Sequence, residues 1–111
     1  MRIVFATEAL KNECNNQELL VKRLGANRAR MLRQRLDELF NADVLADIRS
    51  FPHIGISAPQ GDGDLSLDLG APCRLVFRPE APYPGNGGWD WNKIDSIIIV
   101  ALRGTDAKPK P

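Results

Sequence analysis

The sequence predicts an α+β domain in which an N-terminal strand and a set of helices pack on one face of an antiparallel β-sheet. Three observations predict it. Ala29, Leu32, Leu36 and Leu39 recur at steps of three and four, the spacing of one helix face. Leu65-Ser-Leu-Asp-Leu69 alternates apolar and polar strictly, as a half-buried strand does. Residues 96–102, Ser-Ile-Ile-Ile-Val-Ala-Leu, form an almost continuous apolar run bounded by charges, which suits a strand buried on both faces in mid-sheet.

The elements follow in chain order. Residues 1–6 are short, apolar and rich in β-formers, and read as a first strand. Asn15 and Asn16 are candidate N-caps for a helix over residues 17–24, while Thr7-Glu-Ala-Leu-Lys offers an earlier helix start. Gly25 interrupts the pattern as a helix C-cap, and residues 26–40 continue as a second, longer helix. Val44, Leu45 and Ile48 mark a short further turn of helix, ended by Phe51-Pro52. Beyond it glycines and prolines multiply and the helical period disappears. The strand at Leu65–Leu69, a turn at Gly70-Ala-Pro72 and a strand over residues 73–78 make an antiparallel hairpin. Residues 79–90 hold too many prolines and glycines for anything but a loop. Residues 1–105 therefore form one domain, and the Lys/Pro-rich residues 106–111 a frayed, disordered tail.

Composition narrows the function classes. The 111 residues carry a formal net charge of +1, with 43% hydrophobic and 26% charged residues, which is the balance of a folded globular chain rather than a disordered one. No apolar run approaches the roughly 20 residues that span a bilayer. The N-terminal Met-Arg-Ile-Val-Phe-Ala-Thr-Glu has an early acid and too short an apolar core for a secretion signal, so the expected location is the cytoplasm, with no membrane partner. Cys14 and Cys73 stand far apart without metal-ligand spacing, and His53 is the single histidine, so buried or incidental thiols are expected and no metal site.

Charge is concentrated in one helix. Arg28, Arg30, Arg33 and Arg35 occupy the arc left by the apolar stripe, giving that helix a buried side and a cationic side suited to nucleic acid or an acidic partner protein. A solvated face with no specific partner has the same pattern. Arg74, on a hairpin strand, suits a phosphate contact or an ion pair across the hairpin with Asp68. Arg103 and Asp106 flank the last strand and are further candidates, for which capping its exposed end is the plainer use. Trp89 and Trp91 sit in the Gly/Pro loop, placed either to stack on a base or to anchor the loop, and Tyr83 lies in the same loop.

In collinear order, five segments resemble the RelE/ParE toxin superfamily, and most closely its HigB-like plasmid maintenance killer branch. They are Leu20-Val-Lys-Arg-Leu-Gly-Ala, Ala29-Arg-Met-Leu-Arg-Gln-Arg-Leu-Asp-Glu-Leu39, Ala42-Asp-Val-Leu-Ala-Asp-Ile-Arg49, Leu65-Ser-Leu-Asp-Leu-Gly-Ala-Pro-Cys-Arg-Leu-Val-Phe77, and the stretch from Pro79 through Gly87-Gly-Trp-Asp-Trp-Asn-Lys-Ile94. The resemblance implies a RelE-like fold and the toxin of a type II toxin–antitoxin module. Such a toxin is a ribosome-dependent mRNA endonuclease (an mRNA interferase) or, in the ParE types, an inhibitor of DNA gyrase. It also implies a cognate antitoxin and mRNA on the ribosome as partners. A ribonuclease of this kind uses neither metal nor other cofactor: side chains align the 2′-OH on the scissile phosphate, cationic groups stabilise the developing charge, and acid–base groups move protons.

The chain departs from that pattern at its chemical positions. Where the branch has the His of a Cys-His-Glu-Leu-like segment, this chain has Gly55; where it has a basic pair, Gly61-Asp62; and where it ends in Asp-Tyr-His, Gly104-Thr105-Asp106. Arg74 and Arg78 are the surviving matches for phosphate contacts, and His53 stands two residues from the expected histidine, on the same side of an extended chain. The candidate catalytic residues are therefore Arg74, Arg78 and His53, and the candidate nucleic-acid or antitoxin contacts Arg28, Arg30, Arg33 and Arg35. The competing expectation is a toxin fold that has lost its chemistry and acts by binding an antitoxin, nucleic acid or another protein.

Overall fold

The computed structural model describes residues 1–49, 56, 64–70, 72–80 and 92–104. The described elements run β1 (Arg2–Phe5), α1 (Glu8–Cys14), α2 (Gln17–Leu24), α3 (Ala26–Asn41), α4 (Leu45–Arg49), β2 (Leu65–Asp68), β3 (Arg74–Pro79) and β4 (Ser96–Arg103). The order is the expected α+β arrangement.

Both candidate helix starts are used. Thr7 accepts the backbone N–H of Leu10 through its hydroxyl and opens α1; Asn16 accepts that of Leu19 through its side-chain oxygen and opens α2. Gly25, at φ 90° and ψ 160°, turns the chain from α2 into α3: its N–H donates to the carbonyl of Val21 and its carbonyl accepts from Ala29. That conformation belongs almost wholly to glycine. The predicted stripe of α3 is buried at Ala29, Leu32, Leu36 and Leu39. At about 1.5–3 kcal/mol for each large aliphatic side chain withdrawn from water, the stripe outweighs any intrinsic helix preference in holding α3 in place. Asp47 ties α4 to its approach by accepting the N–H groups of Asp43 and Val44, and Leu45 donates its N–H to the carbonyl of Ile94, just ahead of β4.

The four strands lie in the order β1-β4-β3-β2. The hairpin β2–β3 is antiparallel, with Asp68 opposite Arg74 and Leu65 opposite Phe77, and β3–β4 is antiparallel too. β1 runs parallel to β4, so the sheet is mixed and the expectation of a wholly antiparallel sheet is corrected at that edge. The reason is the connection. Only a short turn forces antiparallel pairing, and all the described helices lie between β1 and its partner.

β4 is central, as expected, but it is not buried on both faces. Ile97, Ile99 and Leu102 are buried, whereas Ile98, Val100 and Ala101 are half-buried. The helices account for this: Leu20, Leu32, Leu36 and Leu39 join Leu67, Leu75, Phe77 and Ile99 in one core cluster on one face of the sheet. The register also jumps, Val76 pairing with Ala101 and Phe77 with Ile99, so Val100 is an extra residue in a β-bulge.

Candidate nucleic-acid interface

Alternation along the strands sends Leu65, Leu67, Leu75 and Phe77 into the core and Ser66, Asp68, Arg74, Val76 and Arg78 to the opposite, outer face. On β4 the bulge restores the phase, so that Leu102 pairs with core residue Leu75 and Arg103 stands directly opposite Arg74. Asp68, Arg74 and Arg103 thus form one row across three strands. Arg78 lies on the same face four residues further along β3, about 13 Å away at the rise of an extended chain, and is exposed.

Arg74 is held in a defined pose. Its Nε donates to Ser66 Oγ at 2.7 Å and its Nη2 to the Ser66 carbonyl at 3.2 Å. Asp68, its register partner, accepts the N–H of Gly70 at 3.2 Å and so helps form the hairpin turn. A cleft of about 350 Å³ opens here, lined by Asp64, Ser66, Pro72, Arg74, Val76 and Arg103 among others. Two guanidinium groups beside a hydroxyl can hold an oxoanion, while the carboxylates of Asp64 in the same lining and of Asp68 opposite Arg74 act against it.

Gly104 fixes the rim of this cleft. Its φ is 76°, and a Cβ at this position would stand 2.1 Å from the carbonyl oxygen of Pro72. The end of β4 therefore presses on the hairpin turn, where only hydrogen fits.

The helix arginines do not form one surface. Arg35 is buried and bound to Glu38 at 2.7 Å. Arg33 is half-buried and donates from Nη2 to the Cys14 carbonyl at 2.9 Å, capping the C-terminal end of α1. Arg28 is half-buried, with its side chain reaching Gly70 in the hairpin turn. Arg30 is exposed. The arginine-rich helix is thus partly a structural brace.

Both cysteines are buried and unbridged. Burial pushes the Cys14 thiol up from 9.0 to about 11, with Glu13 adding to the rise and Arg33 and Arg23 opposing it. Burial also raises Cys73, against the pull of Arg28 and Arg23. Both groups are neutral, unreactive thiols at physiological pH.

His53, Tyr83, Trp89 and Trp91 lie outside the described residues, as do Gly55, Gly61-Asp62, Thr105 and Asp106. Of the candidate catalytic residues, Arg74 and Arg78 share the outer face. Sequence reasoning did not see the roles of Ser66 and Arg103 there. Counting two residues diagonally across the hairpin would have found Ser66, but the bulge hides Arg103 from any such count. Among the described residues no helix is long and apolar enough to cross a membrane, and no group of three or more His, Cys, Asp or Glu is placed to hold a metal ion. Comparison of the chain with protein-family models, with curated proteins and with solved structures gives no match.

Proposed function

We propose that the chain is the toxin of a type II toxin–antitoxin module and acts on mRNA at the ribosome as a metal-independent endonuclease of the HigB/RelE kind. The observation that supports this best is the outer sheet face, where Arg74, Arg78 and Arg103 project from neighbouring strands while the described helices pack on the other face. On this reading Arg74 and Arg103 grip the scissile phosphate and stabilise its developing charge, and Arg78 holds a neighbouring phosphate. His53 is the candidate for moving the proton of the 2′-OH. The cognate antitoxin is an acidic segment, and Arg30 is the helix arginine exposed to meet it.

Induced expression in a bacterial host tests the reading. Growth arrest with cleavage of ribosome-bound transcripts, relieved by Arg74→Ala, is the expected result. Normal growth with intact transcripts from soluble, folded protein defeats it.

One observation favours a second reading, binding without chemistry. The resemblance places the first residue of the family's terminal Asp-Tyr-His on Gly104, and the Pro72 carbonyl leaves no room there for a side chain. Growth without arrest, combined with retained RNA or antitoxin binding, is the signature of this alternative.

A further inference from the structure

β1 covers only part of the strand beside it. Its register with β4 runs from Arg2 opposite Ser96 to Phe5 opposite Ile99, and the Ala6 N–H then donates to the Ile99 carbonyl. There the chain turns away through Ala6 and Thr7 into α1. β4 continues through residues 100–103, with Ala101, Leu102 and Arg103 paired to β3 on its other side. Among the described residues no strand pairs with the β1-side edge of that segment. Such an edge presents the N–H and C=O groups of alternate residues, and its natural complement is an extended chain.

A cleft of about 470 Å³ opens at the same segment, where Val100, Ala101 and Leu102 line it together with residues of α1 and α2. Leu10 and Leu19 supply apolar lining from the two helices, and Leu19 is 45% exposed. The charged side chains of the lining, Glu13 and Arg23, are bound to each other, so the cleft carries no net charge of its own. It suits an uncharged chain and offers a polyanion nothing. The open edge is about 10 Å long at the rise of an extended chain. A cleft of this size admits one short strand, not the edge of a second sheet with its flanking helices.

We propose that residues 100–103 of β4 are a strand-addition site that takes an extended segment of a partner protein. The segment pairs its backbone with β4 in the place β1 vacates, and it sets an apolar side chain against Leu10 and Leu19. Affinity comes from the backbone bonds and selectivity from the apolar contact, so the recognised chemistry is an uncharged, β-forming stretch of peptide. The site uses none of the outer-face arginines and goes beyond the toxin reading, which it neither needs nor supports.

The probe is a display library of random hexapeptides, selected on the full chain, with the selected peptides then synthesised for titration. They are expected to be rich in Val, Ile and Thr and free of proline in the paired stretch. Hydrogen exchange followed by NMR is expected to show amides within residues 100–103 that exchange freely alone and slow down with peptide bound. Methylating the peptide's backbone nitrogens at paired positions is expected to abolish binding. Leu19→Glu sets a charge against the apolar contact and is expected to weaken binding about tenfold. Its melting temperature is expected to be unchanged, because the side chain is exposed. Val21→Glu alters another exposed apolar residue of α2, outside the lining of the cleft, and is expected to bind as the wild type does.

Failure to select any binder, or binders that leave the amides of residues 100–103 unprotected, overturns the proposal. Binding that survives backbone methylation, or that falls equally in Val21→Glu, overturns it too. Protection of those amides in the free chain also overturns it. If that protection is independent of protein concentration, the chain covers its own edge; if it rises with concentration, a second copy is the occupant.

Discussion

At Gly104 the neighbouring backbone decides which residue fits. The Pro72 carbonyl occupies the place of a Cβ, and the positive φ adds strain for any L-residue. Gly104→Ala is expected to destabilise the fold by at least about 2 kcal/mol, seen as a lower midpoint in urea unfolding. Gly25 also has positive φ but nothing within 4 Å, so Gly25→Ala carries conformational strain without collision and is expected to cost less. A midpoint lower in Gly25→Ala than in Gly104→Ala would refute this ordering. The buried thiols make a different prediction. A thiol whose folded pKa is raised keeps its proton at pH values where the unfolded chain has begun to lose it, so the unfolded state binds fewer protons and stability falls with rising pH. For Cys14 that fall begins near the ordinary thiol value of 9.0 and extends to about 11. Cys14→Ser is expected to flatten the alkaline part of a stability-versus-pH curve measured by denaturant unfolding. A native protein whose two thiols both react quickly with a disulfide reagent at pH 8 would contradict the burial.

The arginines of α3 are best understood at the scale of the element. On a helical wheel, Arg28 and Arg35, seven residues apart, fall on one flank of the apolar stripe, and Arg33 falls on the other. Flanking positions of Arg28 and Arg33 reach neighbouring elements, the hairpin turn and the end of α1, while Arg35 pairs with Glu38 one turn along α3 itself. Arg33→Ala removes a cation from the α1 C-terminus and a bond to the Cys14 carbonyl, and is expected to cost about 1–2 kcal/mol. Arg30→Ala is expected to stay within about 0.5 kcal/mol. Thermal unfolding of both variants decides it, and equal shifts would mean that Arg33 is no brace. This is also where the sequence was partly legible. The stripe, the two N-caps and the glycine between α2 and α3 follow from local spacing and chemistry, and all three are present. The uses of Arg28 and Arg33 depend on which helix or turn lies alongside, a tertiary fact that a periodicity does not contain, whereas the Arg35–Glu38 pair at i,i+3 is a local one. The parallel pairing of β1 joins residues more than ninety positions apart, beyond any turn rule. In β4, the uniform apolar run conceals the bulge, because replacing one aliphatic residue by the next leaves the pattern unchanged.

Among the described residues, exposed or half-buried arginines stand on both sides of the molecule. Arg30 projects from the helical layer, while Arg74, Arg78 and Arg103 belong to the far face of the sheet. A net charge of +1 leaves little long-range attraction for a polyanion, so on the proposed reading engagement with RNA has to come from local contacts on one face. The two sides should therefore respond separately. Arg78→Ala is expected to weaken single-stranded RNA binding and to lower the salt slope by about 0.7, the signature of one lost phosphate contact. Arg30→Glu places a negative charge on the helical side and is expected to leave RNA affinity unchanged at 150 mM salt, where screening acts within about 8 Å. The same variant is expected to weaken binding of an acidic partner protein. If Arg30→Glu instead reduces RNA binding as much as Arg78→Ala does, the RNA wraps around the helical layer and the sheet face is not its principal seat. If neither variant changes the slope, the outer-face arginines make no phosphate contacts, and the case for a nuclease built on this sheet loses its physical basis.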